Sequence, residues 1–411
     1  MKRRTFLSAT AATLAAPAIV RAQAAPIRIG VMAPLTGVVA AGGREMVDDF
    51  TLFWTNVGNQ VAGRRVELIV EDDGSNPDVS LQKARRLVEQ EHVDFLFGNL
   101  LANTGLAVAN YVKGTGTPYF IPIIAADDLT QRARIPNVIR VAGYSASQTP
   151  RPLADWALKQ GYKKVATISQ DYSFGHEQCG GFCQTFTEGG GTIAAQYWNP
   201  LNTADFSSYI GQLGGLGVDA IFAMETGADA TRFIQAYANF GLKGQIPLMG
   251  AMNLTDQSVI RTMGPEVEGI ITPGHFAEGS DAPTVQAFVK MHRDKFGTIP
   301  SLYGFSMYSG AMWVAKALAA DAGHSDPAAL LAAVRATELD DSPLGRAVKL
   351  DAYGNPVYDV FIRKVVKNAE GKYWNVPTET YNNVSQFWNY DPVEYMKQPS
   401  YSRTFQGIKK A

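Results

Sequence analysis

The sequence contains few of the residues on which metal, disulfide and nucleophilic chemistry depend. It has two cysteines, Cys179 and Cys183, and five histidines in 411 residues. It has no G-x-x-x-x-G-K-[ST] phosphate loop, no G-x-G-x-x-G after its first strand and no G-x-S-x-G elbow. These absences argue against a nucleotide-binding protein or a serine hydrolase. We therefore expect no catalytic residue, no metal and no cofactor.

Charge and hydropathy exclude further classes of protein. The net charge is -1, with 37 basic and 38 acidic residues, so there is no basic excess of the kind that binds nucleic acid or anionic lipid. No apolar run is long enough to cross a bilayer. Because 46% of the residues are hydrophobic, a chain of this length can bury the cores of two or three domains.

Residues 1–24 differ from the rest of the chain. "MKRR" is followed by the short apolar stretch "TFLSATAATLAAPAIV" and then by the small-residue motif "AQA", an order typical of an export signal. Arg3 and Arg4 fit either the general secretion route or the twin-arginine route. We therefore expect the mature protein to lie in the periplasm, which is an oxidising compartment.

Short apolar runs then alternate with amphipathic ones. Continuous apolar runs bounded by turn residues predict buried parallel strands at 27–33, 65–72, 93–98 and 118–124. The pattern repeats at 163–169, 192–198, 218–224, 246–250 and 268–272. Helical spacing separates these runs, which predicts an α/β chain with two doubly wound, Rossmann-like lobes.

The helical stretch at 283–336 predicts that the chain returns to the first lobe before a last crossing. We expect lobe 1 to comprise residues 26–145 and 275–343, and lobe 2 to comprise 146–274 and 344–395. Residues 396–411 would form a C-terminal tail. Ligands of such sheets bind beyond the carboxyl ends of the strands, which places a site in the cleft between the lobes.

The stretch "SQDYSFGHEQCGGFC", residues 169–183, is dense in reactive side chains. The loop 170–175 follows a strand and lies at the expected cleft, where Tyr172 and Phe174 can contact a ligand. His176, Cys179 and Cys183 share one helix face. Three interpretations remain open for the cysteines: a disulfide across Gly180-Gly181, a metal site, or two buried thiols.

Two further features are open to a functional interpretation. Asp72-Asp73 ends a strand before a capped helix, where acids stabilise unpaired N–H groups, so a structural role is favoured over acid–base catalysis. Gly42-Gly43 precedes the first long helix, where exposed N–H groups can receive a carboxylate.

Several motifs together resemble a known family. They are the export signal, "IRIGVMAPLTG", "GRRVELIVEDDGSNPDVSLQKARRLVEQEHVDFLFG", "QDYSFG" and "YGNPVYDVFIRKV". In these the chain is similar to the type I periplasmic solute-binding proteins of ABC importers, in the branched-chain amino-acid (Leu/Ile/Val) group. The resemblance implies two lobes joined by three crossover hinges, a small-molecule ligand closed between them, and delivery to a membrane permease.

The resemblance also implies ligand contacts. In the family, hydroxyl side chains and N–H groups after the third and fourth strands bind the ligand carboxylate. Ala102 and Ala125 stand at these places here, which leaves the role to N–H groups with Asn103 or Thr104. Phe174 matches the loop aromatic, whereas Met252 stands where the family has the Glu that binds the ammonium.

Two hypotheses on the ligand follow from that difference. Either Glu225, beside Thr226, binds the ammonium of a hydrophobic amino acid, or the ligand is an aromatic or other hydrophobic carboxylate. The apolar and aromatic set that favours a carboxylate is Tyr172, Phe174, Met252, Phe276 and Tyr303. The segment "VSQFWNYDPVEYMKQPSYSR" is similar to tails of subgroups suspected of taking aromatic acids.

We expect a monomeric binding protein that closes around its ligand by hinge motion. An alternative is a sensor of the same fold for amide or urea-type ligands. An exported hydrolase is a further alternative, and it would need a nucleophile and a base converging in the cleft.

Overall fold

The first third of the chain forms one mainly parallel sheet with its connecting helices. The computed structural model describes residues 25–409, so the expected export signal at 1–24 lies outside the described residues. The elements are β1 Ile27–Ala33, α1 Ala40–Asn56, β2 Gln60–Val61, β3 Arg64–Asp72, α2 Pro77–Arg85, β4 Phe95–Gly98, α3 Ala102–Thr115, β5 Tyr119–Phe120 and β6 Val138–Ile139. The six strands lie in the order β2-β3-β1-β4-β5-β6.

A second sheet follows, and three helices in the chain separate its first five strands from its last three. Its first elements are α4 Pro150–Lys159, β7 Lys164–Gln170, α5 Ser173–Glu188, β8 Thr192–Asn199, α6 Ser207–Gly214, β9 Ala220–Met224, α7 Gly227–Asn239, β10 Leu248–Gly250, α8 Gln257–Ile260 and β11 Ile271–Gly274. Next come α9 Pro283–Phe296, α10 Leu302–Ala320, α11 Pro327–Ala336, β12 Lys349–Leu350, β13 Pro356–Lys367, β14 Tyr373–Val384 and α12 Pro392–Tyr395.

Both sheets place the first strand of their series between the second and the third. In the first sheet β1 lies between β3 and β4, and in the second sheet β7 lies between β8 and β9. These neighbours are parallel, so each connecting helix crosses over a face of its sheet. The prediction of two doubly wound units is confirmed.

Local sequence signals set the ends of several elements. Asn76 caps α2 because its side chain accepts hydrogen bonds from the N–H groups of Asp78 (2.9 Å) and Val79 (3.2 Å), with Pro77 at the first helical position. Helices α3 and α9 both end at a glycine, Gly116 and Gly297, whose φ of 74° is left-handed.

Three crossings connect the two sheets. The chain passes from β6 to α4, returns from β11 to α9, and passes from α11 to β12. Helix α10 lies against α1, and Asp49 of α1 is hydrogen-bonded to His292 of α9 at 2.8 Å. The expected return to the first sheet and the three crossover hinges are therefore confirmed, whereas the exact lobe boundaries given above remain a prediction.

Strand β14 was not predicted from the sequence. It pairs with β13 in antiparallel register at the edge of the second sheet, and many of its residues are partly or fully exposed. Pro377 within it is compatible with an edge strand. Because both faces of β14 are partly solvated, its sequence shows no continuous apolar run.

The last residues pack onto the second sheet's helices instead of extending into solvent. Arg151 of α4 is buried and donates hydrogen bonds to the hydroxyls of Tyr395 (2.9 Å) and Tyr401 (2.7 Å). The same guanidinium lies 4.9 Å from the ring centre of Tyr390. Residues 385–409 are thus part of the folded body. Within residues 25–409, no helix is long and apolar enough to cross a membrane.

Candidate ligand-binding site

A narrow cavity lies where the carboxyl ends of the two parallel sheets meet. Only about 10 Å³ of it is open to the centre of a water molecule, so the lining side chains close on one another. Its lining consists of Leu100, Ala102, Ile123, Ala125, Tyr144, Tyr172, Phe174, Thr226, Asn253 and Tyr303. Every one of these side chains is uncharged at neutral pH, and four of them are aromatic.

Three long helices begin at the cavity. The residues that precede α3, α5 and α7 are Leu101, Tyr172 and Thr226, and none of the three provides a side-chain hydrogen bond that caps its helix. The first N–H groups of a helix lack partners within the helix, and its amino end carries a partial positive charge. The cavity therefore offers N–H donors and positive potential without a lysine or an arginine in its wall.

Asn253 joins two tyrosines in the cavity wall. Its amide nitrogen donates a hydrogen bond to the Tyr303 hydroxyl at 3.0 Å, and the Tyr144 hydroxyl donates to its amide oxygen at 3.4 Å. Burial raises the pKa of both tyrosines, so both keep their protons. Because Tyr303 accepts from Asn253, its own hydrogen is free for an acceptor on a ligand.

The aromatic rings form one continuous wall. The ring of Phe174 lies 6.4 Å from that of Tyr144 at 69° and 6.1 Å from that of Tyr172 at 52°. These separations are typical of attractive edge-to-face or tilted pairs. Tyr303 sits against Gly42, where an added Cβ would lie 2.5 Å from the ring. Gly42 therefore makes room for Tyr303 and does not itself line the cavity.

Six of the site residues predicted from the sequence line the cavity. They are Ala102, Ala125, Tyr172, Phe174, Thr226 and Tyr303. Asn103 and Thr104 do not, because they make local contacts in α3: Asn103 accepts from the N–H of Thr104 at 3.0 Å, and the Thr104 hydroxyl donates to the carbonyl of Leu101 at 2.8 Å.

Glu225 and Met252 are buried away from the cavity wall. Asn199 donates a hydrogen bond to Glu225 at 3.2 Å, and burial raises the pKa of this carboxyl well above its usual value. Met252 is fully buried, and its sulfur lies close to Gly274. Phe276 also packs in the core, stacked on Phe305 with ring centres 4.1 Å apart.

Four lining residues were missed from the sequence: Leu100, Ile123, Tyr144 and Asn253. Asn253 directly follows Met252, so moving the family alignment by one residue would have found it. Tyr144 lies in the first crossover, after a strand of only two residues, where no periodic pattern marks the position.

The cysteines and the acid pair have structural surroundings. Cys179 and Cys183 are free, buried thiols on α5, and burial raises the pKa of Cys179 to about 12. His176 contacts Asp171 at 2.8 Å. In the described part of the chain, the one group of side chains close enough to share a metal ion is Glu45, Asp49 and His292.

Asp72 and Asp73 do not line the cavity. Asp72 accepts from the N–H groups of Leu35 and Gly74, each at 2.8 Å. Asp73 accepts from the N–H of Ser75 at 2.9 Å and from Asn99 at 2.7 Å. Both acids thus organise the turn before α2, in agreement with the structural interpretation.

Comparison with known proteins decides the family. The sequence pattern of the family described as "Periplasmic binding protein" matches residues 26–371. The chain belongs to this family. It is 29% identical over 387 residues to "Leu/Ile/Val-binding protein homolog 6" of Brucella melitensis biotype 1, which covers 93% of this chain and 97% of the relative.

Solved structures share the fold. A substrate-binding protein of an ABC transporter from Sphaerobacter thermophilus is 30% identical, with a TM-score of 0.82 over 88% of this chain and 99% of that one. A solute-binding protein of an ABC transporter from Rhodopseudomonas palustris HaA2, in complex with p-hydroxybenzoic acid, is 28% identical, with a TM-score of 0.82 over 88% and 98%. The fold class and the family resemblance inferred from the sequence are confirmed. The protein is a periplasmic substrate-binding protein of the ABC-transporter type.

Proposed function

We propose that this periplasmic binding protein captures a small aromatic carboxylate that has no amino group, and delivers it to a membrane permease. The observation that carries the proposal is that the cavity wall has no charged side chain while three helices begin beside it, none of them capped by the side chain of its preceding residue. A carboxylate receives N–H donors there, and its ring contacts Tyr144, Phe174 and Tyr303.

An α-amino acid fits this wall poorly. Its ammonium would be enclosed without a carboxylate partner, since Glu225 lies outside the wall and burial raises the pKa of its carboxyl. Removing an unpaired charge from water costs several kcal/mol, as the burial of isolated ions shows. The Rhodopseudomonas palustris relative bound to p-hydroxybenzoic acid supports the same ligand class.

We further propose a binding role without catalysis. The ten lining residues include no Ser, Cys, His, Lys, Asp or Glu. The Thr226 hydroxyl donates to the side-chain oxygen of Gln170 and the Tyr144 hydroxyl to that of Asn253, so within the described chain neither is hydrogen-bonded to a general base. The export signal and a monomeric state remain part of the proposal. Ligand contacts from both lobes would favour the closed form by population shift.

Calorimetric titration of the mature protein with matched ligand pairs tests the proposal. L-Leucine and 4-methylpentanoate differ only in the ammonium group, as do L-phenylalanine and 3-phenylpropanoate. In whichever pair has a side chain that fits the cavity, we expect the acid without an amine to bind at least ~100-fold more tightly than the amino acid. This ratio corresponds to a difference in binding free energy of about 2.7 kcal/mol. We also expect 4-hydroxybenzoate to bind in the micromolar range or better. Tighter binding of L-leucine than of 4-methylpentanoate would overturn the proposal, and a urea or amide panel distinguishes the sensor alternative.

A further inference from the structure

A second recognition surface lies outside the cleft, in a groove at the edge of the first sheet. Its walls include Arg132, Arg134, Arg335, Tyr353 and Met396, and no carboxylate is among the lining residues. The groove joins segments that are far apart in sequence, from the loop before β6, the end of α11, the turn between β12 and β13, and the C-terminal segment. Three arginines meet there in a chain whose net charge is -1.

Two of these arginines have no acidic partner. Neither Arg134 nor Arg335 forms an ion pair with any residue in the range 25–409, whereas Arg132 pairs with Asp128 at 3.1 Å. Arg134 and Arg335 repel each other, and burial together with the charge of Arg134 lowers the pKa of Arg335. Two like charges placed together are unfavourable unless an anion lies between them.

Both guanidinium groups are held in place by other parts of the chain. Arg134 lies over the ring of Tyr353, 4.7 Å from its centre. Arg335 donates to the carbonyl of Pro136 at 2.6 Å, and its Nη1 would lie 3.1 Å from a Cβ at Gly354. Gly354, with φ of 86°, thus leaves room for this guanidinium. Such positioning reduces the entropy lost when a ligand binds.

The acids on neighbouring loops are already satisfied. Asp351 accepts from the N–H groups of Tyr353 (2.8 Å) and Asn355 (3.0 Å), and from Gln386 at 2.8 Å. Asp128 is held by Arg132. Neither Asp351 nor Asp128 pairs with Arg134 or Arg335, so both of these arginines keep free N–H donors in the groove.

We propose that this groove binds a phosphate group, either free in solution or as part of a phospholipid headgroup. Two guanidinium groups match the oxygens of a dianion through paired N–H bonds, a geometry that a single lysine cannot supply. The site is separate from the ligand cavity and does not depend on the proposed aromatic ligand.

Calorimetric titration of the mature protein with inorganic phosphate at low ionic strength tests the proposal. We expect the double variant Arg134→Gln/Arg335→Gln to bind phosphate at least about tenfold more weakly than wild type. The charge-matched control is Arg65→Gln/Arg293→Gln, whose arginines pair with Glu67 and Glu370 on the surface. We expect this control to stay within about twofold of wild type.

Cosedimentation with phosphatidylglycerol vesicles identifies the source of the phosphate. Vesicle binding that is lost in the groove variant and kept in the control indicates a lipid headgroup, and its absence indicates a soluble phosphate. Phosphate affinity that is immeasurable, that is unchanged in the groove variant, or that falls equally in the control overturns the proposal. If the double variant fails to fold, the exposed single variant Arg134→Gln gives the same test, because Arg134 makes no side-chain hydrogen bond with the described residues.

Discussion

The ligand cavity and the contacts beside it lie on the same surface between the two lobes, but they use opposite chemistry. The cavity wall is uncharged throughout. In the contacts beside it, which we name the rim, Glu45 of α1 pairs with Arg261 at the end of α8 at 2.6 Å. Arg261 also donates to the carbonyl of Ile299 at 2.9 Å, and Asp256 accepts from the N–H of Leu302 at 2.7 Å.

This difference separates ligand choice from closure. Asn253 and Tyr303, which line the cavity, are close in sequence to Asp256 and Leu302 of the rim. We propose that the neutral wall selects a ligand through hydrogen bonds and shape, and that the charged rim stabilises the closed arrangement whatever the ligand is. Changes in the wall should therefore alter which ligand binds, and changes in the rim should alter how tightly all ligands bind.

The largest expected effect comes from placing a charge in the wall. Asn253→Asp introduces a carboxylate into the wall that is proposed to enclose the ligand, and it removes the donor to the Tyr303 hydroxyl. We expect affinity for 4-hydroxybenzoate to fall at least ~100-fold, because a desolvated like charge is costly. Calorimetry at neutral pH measures the change.

Asn103→Asp is the matched control, since it makes the same substitution on α3 outside the cavity wall. We expect it to change affinity by less than about threefold, because that side chain is partly exposed and screened. An Asn253→Asp protein that keeps its affinity within threefold would show that this wall does not enclose an anionic ligand.

A smaller effect is expected from the rim. Arg261→Gln leaves Glu45 with only the N–H of Ser301 as a partner, at 2.9 Å, and so destabilises the closed form. We expect about a tenfold loss of affinity for every ligand, with the ratio between 4-methylpentanoate and L-leucine unchanged. The single variants and the pair Glu45→Gln/Arg261→Gln, measured by calorimetry, form a double-mutant cycle.

The cycle distinguishes a rim that holds the lobes from one that only covers the cavity. Because Glu45 and Arg261 are in contact, we expect the double variant to lose less affinity than the two single variants together. Independent effects, or a shift in ligand preference, would contradict the separation of wall and rim.

More of the fold than of the site could be predicted from the sequence. Strand β1 has the predicted bounds because six of its seven residues are buried and therefore apolar or small. Strand β14 escaped prediction because an exposed edge does not require that pattern. Both results follow from burial, which leaves a periodic trace in a sequence only where a face is covered.

Residues of the site could be predicted only where a sequence motif contains them. Tyr172 and Phe174 follow a long buried strand, so their place at the cleft could be inferred. Tyr144 and Asn253 follow strands of two and three residues, and their positions depend on how the crossovers pack. The paired arginines of the groove, Arg134 and Arg335, are about two hundred residues apart and meet only in the folded chain.

The smallest effect on ligand affinity is expected from Asp73, a buried acid that lies outside both the cavity wall and the rim. Burial raises the pKa of Asp73 from 3.8 to about 6. The folded protein thus holds this proton more tightly than the unfolded chain does. The stability that protonated Asp73 contributes to the folded protein is fully present below about pH 4. It is lost as the pH rises to about 6, and the total loss is roughly 3 kcal/mol, at about 1.36 kcal/mol for each unit of pKa shift. Urea unfolding of wild type and Asp73→Asn across this range measures it.

We expect the stability of Asp73→Asn, relative to wild type, to increase between about pH 4 and pH 6, while its affinity for 4-hydroxybenzoate at neutral pH stays within about twofold. The difference between the two proteins isolates Asp73, because every other titrating group is common to both. A constant difference across the range would show that Asp73 is ionised at its ordinary pKa. A large loss of affinity would show that the turn before α2 takes part in binding. The buried acid Asp73 and the cavity wall would then not act independently.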